Sequence, residues 1–241
     1  RIDDVKFKEQ TYAAVLASSL RLQDVANVWL ATLFGLGDED GKPLTVEDYA
    51  ELRQECVINY AAEAWEKYVN SDWRLRNARR IADEHCFFHW ELEFPETVVD
   101  GRCSFDAIIA NPPYVGTAPN KAIAAVYQAA ASGDLYAWIY ERSLLLAGTS
   151  GAIGMVVPLS LMFARAMRPL RHLLLSASLD VHLSSFDNIP DALFNTSSFG
   201  GDGTNKSMQR VTIAIAKRQA LDTRIETTDL LKWWSQDRPH L

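Results

Sequence analysis

Continuous apolar runs and amphipathic segments alternate along the second half of the chain. Four runs are predicted to be β-strands: SFDAIIAN (104–111), AIGMVV (152–157), LDVHLSSF (179–186) and QRVTIAIAK (209–217). The first two contain short continuous apolar runs, which are typical of strands buried on both faces of a sheet. Helical periodicity predicts helices at 134–147 and 161–176, with a turn at 148–151. Strands that alternate with helices predict an α/β fold with a Rossmann-like, doubly wound sheet.

The first part of the chain has helical periodicity instead. Three helices are predicted, at about 7–34, 46–68 and 73–84. The segment CFFHWELEFPE (86–96) is aromatic and alternating, which predicts a strand that Pro95 ends. We predict a helical region over 1–86, a second part over 87–220 that carries the candidate chemistry described below, and a linker over 221–241.

Composition narrows the function classes. The chain has 241 residues, of which 48% are apolar, so it can bury a substantial core. It contains no apolar run of the ~18 residues that a membrane-spanning helix needs. The net charge of −7 argues against a self-sufficient nucleic-acid clamp, because phosphate binding calls for a basic surface. DNA binding must therefore be local in this chain, or be supplied by another part of the protein.

Cysteine and histidine spacing predicts neither a metal site nor a disulfide framework. Cys56, Cys86 and Cys103 show no CxxC spacing, so we expect reduced thiols in a cytoplasmic protein. His85 and His89 are four positions apart but lack the intervening Glu of the metalloprotease arrangement. We expect no metal.

Four arginines lie close together in the third predicted helix: Arg74, Arg76, Arg79 and Arg80. We interpret them as a solvated helix face, with a phosphate-contacting patch as the alternative.

The candidate chemistry follows directly after the first apolar run, at NPPY, from Asn111 to Tyr114. In an open α/β sheet, ligands bind beyond the carboxyl ends of the strands. Proline donates no N–H, so backbone carbonyls there can point outward without competing donors. An asparagine oxygen and a proline-held carbonyl form a pair of acceptors for a planar NH2 group, and the tyrosine offers a flat face to a ring. This pattern predicts methylation of an exocyclic amine, a poor nucleophile whose lone pair must be aligned.

Together with the segments around it, this motif resembles the amino-group adenine-specific DNA methyltransferases. The similarity is greatest to the large enzymes of restriction–modification and phage-defence systems, of the Eco57I, BREX and DISARM types. The segments that carry it are DVANVWLATLFG (24–35), FHWELEFPE (88–96), FDAIIANPPYVG (105–116), DLYAWIYERSLLLAGTSGAIGMVVPLSLMFARAMRPLR (134–171), SSFDNIPDALF (184–194) and QRVTIAIAK (209–217). The resemblance implies a class I S-adenosylmethionine-dependent methyltransferase fold and methyl transfer to adenine N6 in DNA.

The resemblance assigns a role to each residue of the motif. The catalytic positions are Asn111, Pro112, Pro113 and Tyr114, with the adenine amine held by the Asn111 side chain and the Pro112 carbonyl. Tyr114 would stack on an adenine flipped out of double-stranded DNA, because the amine cannot be reached inside the duplex. Phe194 matches the second stacking aromatic of the family, and an ordinary loop or core phenylalanine is the alternative.

The resemblance also implies S-adenosylmethionine as the cofactor, with Asp134 and Tyr136 at the border of its pocket. A helix-capping role is the alternative for Asp134. The glycine-rich cofactor loop that precedes NPPY in the family has no counterpart in 1–104, and SSFGGDG (197–203) does not follow a buried strand. We therefore expect this chain to be the catalytic half of a longer protein and not to bind the cofactor tightly alone. The upstream part would carry the cofactor loop, and a downstream part would recognise the target.

Two other functions stay open from the sequence. The same motif serves methyltransferases of an RNA amine or a protein glutamine amide, because those groups are also planar NH2 donors. A non-catalytic subunit that kept the fold for DNA recognition or assembly is the second alternative. The expected partners are double-stranded DNA and other defence-system subunits, with no membrane contact.

Overall fold

The computed structural model describes residues 19–37, 41–59, 61–116, 121–176, 179–193, 209–218, 223–232 and 234. The chain divides into two compact units, Arg1–Glu96 and Thr97–Leu241. The first unit is helical, and the second contains the sheet that carries the NPPY motif. The domain boundaries given above, with a catalytic part over 87–220, stay a prediction.

The described helices of the first unit are α1 (19–32), α2 (Val46–Ile58), α3 (Ala62–Ser71), α4 (Trp73–His85) and α5 (Trp90–Glu93). Two of them, α2 and α4, begin at residues whose side chains cap them. A capping box begins α2: the Thr45 side chain accepts from the Asp48 N–H, and the Asp48 carboxylate accepts from the Thr45 N–H. The Asp72 carboxylate begins α4 by accepting from the backbone N–H groups of Arg74 and Leu75.

Two predicted elements of this unit differ from the structure. The helix predicted over 46–68 is interrupted at Asn59, whose side chain donates to the Glu55 carbonyl at 3.1 Å and ends α2. The strand predicted within 86–96 is wrong, because that segment contains the single-turn helix α5. The rings of Trp90 and Phe94 stack there with centroids 5.9 Å apart. Aromatic residues at alternate positions also recur at i and i+4, so the same pattern is compatible with a helical turn.

A buried acid lies in the core of the helical unit. Asp24 is 6% exposed and accepts a hydrogen bond from Trp65 Nε1 at 2.8 Å. Arg79 donates to the same carboxylate from Nε and Nη2, both at 2.7 Å. Because a buried carboxylate is costly without partners, these bonds fix the position of α4 relative to α1.

Other members of the arginine cluster are paired as well. Arg74 is buried and contacts Asp72 at 2.7 Å and Asp48 at 3.2 Å. Arg80 pairs with Glu84 one helical turn further along, at 3.0 Å. These intramolecular pairs argue against a phosphate-contacting patch, but the interpretation as a solvated face is wrong for Arg74, which is buried.

The second unit is built on a mixed sheet. Its helices and strands are β1 (Val98–Val99), β2 (Arg102–Cys103), β3 (Phe105–Ala110), α6 (Lys121–Ala124), α7 (Leu135–Leu146), β4 (Ala147–Pro158), α8 (Ser160–Phe163), α9 (Arg168–Ser176), β5 (Leu179–Phe186), β6 (Val211–Arg218) and β7 (Arg224–Thr227). β1 and β2 form an antiparallel pair, and the other strands form a five-stranded sheet in the order β3-β4-β6-β5-β7. β3 is parallel to β4 and β5 to β7, whereas β6 is antiparallel to both of its neighbours. The predicted α/β fold class is confirmed.

Two features of the sheet differ from the prediction. The turn predicted at 148–151 belongs to β4. Glycine is required there by a close approach of chains, since a Cβ on Gly151 would lie 2.6 Å from the Phe105 carbonyl oxygen. β7 lies inside the segment 221–241 that the sequence suggested was a linker, and it pairs with β5.

The helix predicted over 161–176 is divided into α8, a 3-10 turn and α9. The division falls at Ala164, which has an extended backbone with ψ 134°. Pro169 then occupies the first turn of α9, where a residue without an N–H is tolerated. The segment between α8 and α9 is therefore an ordered loop at the end of β4.

The core of this unit lies between one face of the sheet and the helices α7 and α9. It contains the fully buried Tyr136 and Tyr140 of α7, Leu170 of α9, and Ile153 and Met155 of β4. The prediction that β3 is buried on both faces is wrong for the described residues, since no described element covers its opposite face and Ile109 there is 88% exposed. Among the described helices, none is long and apolar enough to cross a membrane.

Candidate active site

The NPPY motif lies at the carboxyl end of β3. β3 ends at Ala110, which pairs with Met155 of the parallel strand β4, so the two strands end at the same edge of the sheet. The residues from Asn111 to Tyr114 have no regular secondary structure there. Asn111 is exposed and Tyr114 is half-buried against the core. The motif therefore occupies the position where ligands bind in open α/β sheets, as predicted.

The Tyr114 hydroxyl connects the motif to the neighbouring strand. It lies 3.0 Å from the Val156 carbonyl oxygen of β4 and 3.1 Å from Asn111 Oδ1. A phenol has one proton to donate, so the two acceptors share it. This contact orients the Asn111 amide, with its oxygen toward the ring.

Burial keeps this hydroxyl protonated. Removal from solvent raises the pKa of Tyr114 above its ordinary value of 10.0, and the nearby Tyr136 hydroxyl adds to the effect. The two rings meet edge to face, with centroids 6.3 Å apart and planes at 81°. Tyr114 is therefore a neutral hydrogen-bond donor, and its ring packs against the ring of the buried Tyr136.

The two predicted cofactor residues lie at the start of α7, close to the motif. Asp134 is the N-cap residue of α7, but its side chain makes no capping hydrogen bond. Backbone pairing of Asp134 with Gly116 ties the start of this helix to the chain that leaves the motif. Tyr136 is fully buried, and its hydroxyl lies 3.4 Å from Ser160 Oγ of α8. Asp134, which is only partly buried, is thus the member of this pair with solvent access.

The arrangement suits the capture of a planar amine. A carbonyl oxygen has two lone pairs, so Asn111 Oδ1 can accept from Tyr114 and from an incoming N–H together. Pro112 is buried and Pro113 is exposed. Because both residues are prolines, their φ angles are fixed and neither has a backbone N–H to donate. In the described ranges, no group of three His, Cys, Asp or Glu side chains could hold a metal ion.

The structure brings Asn111, Tyr114, Asp134 and Tyr136 together at one edge of the sheet. Phe194 and the segment 197–203 lie outside the described residues. Sequence reasoning missed Val156 and Ser160, which contact the two tyrosines. Their position could have been inferred from the β4 run and the Pro158 that ends it, once β3 and β4 are placed side by side.

Comparison with known proteins identifies the family. Residues 13–190 match the Eco57I restriction-modification methylase family. The chain belongs to this family. Its fold is accordingly that of the class I S-adenosylmethionine-dependent methyltransferases, and the resemblance inferred from the motifs is confirmed.

Among solved structures, this Eco57I-family chain is similar to a nuclease-deletion mutant of the Type ISP restriction-modification enzyme LlaGI in complex with a DNA substrate mimic. The sequence identity is 14% and the TM-score 0.38, over 87% of this chain. The chain spans 27% of the length of that enzyme. It matches none of the curated proteins.

Proposed function

We propose that the protein transfers a methyl group from S-adenosylmethionine to N6 of adenine in DNA, within a restriction–modification or antiviral defence system. The observation that carries this proposal is the hydrogen bond between Asn111 and Tyr114 at the end of β3. It joins an amide oxygen that can hold an amine to a ring that can hold a base. Membership of the methylase family supports the same reaction class.

In the proposed reaction, the target adenine leaves the duplex and stacks on the Tyr114 ring. Its N6 hydrogens donate to Asn111 Oδ1 and to the Pro112 carbonyl. The lone pair of this nitrogen is delocalised into the ring, and two acceptors on its hydrogens favour a more tetrahedral nitrogen. The lone pair would then align with the methyl group, and the new N–C bond would form as the C–S bond of the sulfonium breaks. S-adenosylhomocysteine would leave, and the methylated nitrogen would lose one proton to solvent. Catalysis would rest on positioning and electrostatics without a covalent enzyme intermediate.

S-adenosylmethionine supplies an electrophilic methyl group on a sulfonium. The Asp134 carboxylate fits such a ligand, because it is partly exposed beside the motif and makes no capping hydrogen bond to α7. A carboxylate there can accept from ligand hydroxyl or amino groups. Tyr136 is fully buried, so its contribution would be to hold the Tyr114 ring in place through their edge-to-face contact. We expect the main cofactor loop to come from a part of the protein beyond these residues.

Double-stranded DNA and other defence-system subunits are the proposed partners, and a cytoplasmic location stays a prediction. The net charge of −7 argues against DNA binding over the whole surface of this chain, so its DNA contacts would be local.

The test uses the full polypeptide with isotope-labelled S-adenosylmethionine and unmethylated DNA, followed by separation of the nucleosides. We expect label in N6-methyladenosine, lost in Asn111→Ala and retained in a control, Asn59→Ala, far from the motif in sequence. Cofactor binding without label in DNA would instead favour an RNA or protein substrate, or a partner that is needed for transfer. Neither label nor cofactor binding would favour a non-catalytic subunit that kept the fold for recognition or assembly.

A further inference from the structure

A long stretch of this acidic chain carries only positive charge. Residues 142–179 contain no Asp or Glu, although the whole chain has a net charge of −7. The cationic side chains in this stretch are Arg142, Arg165, Arg168 and Arg171. A local basic region in an acidic protein is the pattern expected of a confined phosphate contact.

Part of this charge lies in residues 163–168, which run from the last residue of α8 through the loop to the first residue of α9. Phe163 is 72% exposed, and Arg165 and Arg168 are also exposed. Among the residues that the structure describes, neither guanidinium has an ion-pair partner. The arginines of the helical unit differ, since Arg74 and Arg79 are bound to carboxylates.

This loop is held rigidly. Leu161 before it and Met167 within it are almost fully buried, at 1% and 2% exposed. Arg171 reaches back from α9 and donates to the carbonyls of Leu161 at 2.8 Å and Ala164 at 2.9 Å. The backbone that presents the exposed side chains is thus anchored on both sides, which lowers the entropy cost of binding.

The loop also lies at the edge of the sheet that holds the NPPY motif. It follows β4, whose Val156 carbonyl accepts from the Tyr114 hydroxyl. Ser160, in the same helical turn as Phe163, lies 3.4 Å from the Tyr136 hydroxyl. The exposed ring and cations therefore follow directly on the residues that support Tyr114.

We propose that Phe163, Arg165 and Arg168 form a DNA contact surface of this chain. The two guanidinium groups bind phosphates beside the target, because their planar donors match phosphate oxygens. Phe163 stacks on a base that becomes unpaired when the target leaves the duplex. This surface rests on the proposed DNA substrate and extends it with residues outside the NPPY motif.

The arginines are tested by the salt dependence of DNA binding. Fluorescence anisotropy with the full polypeptide and a labelled duplex would give the dissociation constant between about 50 and 200 mM salt. Arg165→Ala/Arg168→Ala is expected to weaken binding about 10-fold and to flatten the slope of log K against log salt by about 2. Arg102→Ala is the matched control, since Arg102 is exposed on β2, at the amino end of β3. Its slope should equal that of the wild type.

The ring is tested with a single-stranded oligonucleotide, whose bases are already unpaired. Phe163→Leu is expected to lower the affinity about 10-fold with no change of salt slope, because it removes stacking and keeps the charge. Phe163→Tyr should bind as the wild type does. Equal binding by the leucine and tyrosine variants would overturn the role given to the ring.

The outcomes separate this surface from the proposed reaction. If the wild type methylates DNA and the double arginine variant keeps the wild-type slope of log K against log salt, the proposed contact surface is contradicted and the proposed reaction is not. If the wild type neither binds nor methylates DNA, both are wrong. If the arginine effect appears with RNA only, the DNA assignment of the surface is overturned.

Discussion

The Tyr114 hydroxyl lies 3.1 Å from Asn111 Oδ1, so the ring proposed to stack on the target base is bonded to the amide proposed to hold its amine. The same hydroxyl contacts the Val156 carbonyl oxygen at 3.0 Å, which anchors both residues to β4. The two proposed roles, base stacking and amine capture, would therefore be coupled through one hydroxyl proton.

Tyr114→Phe separates these two roles, because it keeps the ring and removes the hydroxyl. The Asn111 amide then loses a partner that fixes its orientation, at a cost of about 1 kcal/mol, or roughly 5-fold in kcat. KM for DNA should stay near the wild-type value. Steady-state methyl transfer with labelled cofactor measures both constants.

Tyr114→Leu is the comparison for that variant, since it removes the stacking face as well. We expect it to raise KM for DNA and to lower kcat further. Equal kinetic constants for the phenylalanine and leucine variants would show that the ring has no separate role.

The helical unit should lose stability in mild acid through His89. Its Nε2 lies 2.7 Å from Asn27 Oδ1, and burial lowers the pKa of His89 below its ordinary 6.5, against weaker opposing effects of Glu91 and Glu93. The unfolded chain then takes up the proton at a higher pH than the folded chain, so protonation favours unfolding. Stability is complete above about pH 7 and falls as the pH drops below 6.5 toward the folded pKa.

Urea unfolding at about pH 7.5 and about pH 5.5 measures this effect as a difference in the free energy of unfolding. His89→Gln cannot take up the proton and should show a smaller decrease between the two conditions. An equal decrease in both proteins would assign the acid sensitivity to other groups.

Arg79→Met should destabilise the helical unit by about 2–3 kcal/mol, because it leaves the Asp24 carboxylate in the core with one hydrogen bond fewer on each oxygen. Arg80→Met is the matched control in the same helix. Its partner Glu84 is exposed, so the expected loss is below about 0.5 kcal/mol. Chemical denaturation compares the two, and equal losses would contradict the structural role given to Asp24.

Glu141→Ala should destabilise the sheet unit by about 2 kcal/mol. Glu141 is 5% exposed and accepts from the backbone N–H groups of Gln128 at 3.0 Å and Ala129 at 2.7 Å. These donors begin the 3-10 turn Gln128–Ser132, which the alanine variant would leave unpaired. Glu141→Gln keeps one acceptor oxygen and should lose less, and thermal unfolding of both variants measures the difference.

The sequence predicted those parts of the fold that depend on local pattern. β3, β5 and β6 were found from apolar runs and alternation, and the position of Asn111 followed from the end of β3. The length of β4 was not predicted, because Gly151 suggested a turn. Gly151 is required instead because the Phe105 carbonyl oxygen of β3 lies too close to leave room for a Cβ.

The candidate site was predicted in part, for the same reason. Asn111 and Tyr114 were found because their chemistry is local to one motif. Val156 was not, since its contact depends on the register between β3 and β4, which is a tertiary property. The role of Phe194 stays a prediction, because this residue lies outside the described part of the chain.

Within the described sheet, β3 pairs with β4 on one side only, and Ile109 on β3 is 88% exposed. Any strand added at that edge would hydrogen-bond directly to β3, whose last residue, Ala110, precedes Asn111. A strand bound at this edge would thereby restrain the position of Asn111 through the backbone of β3.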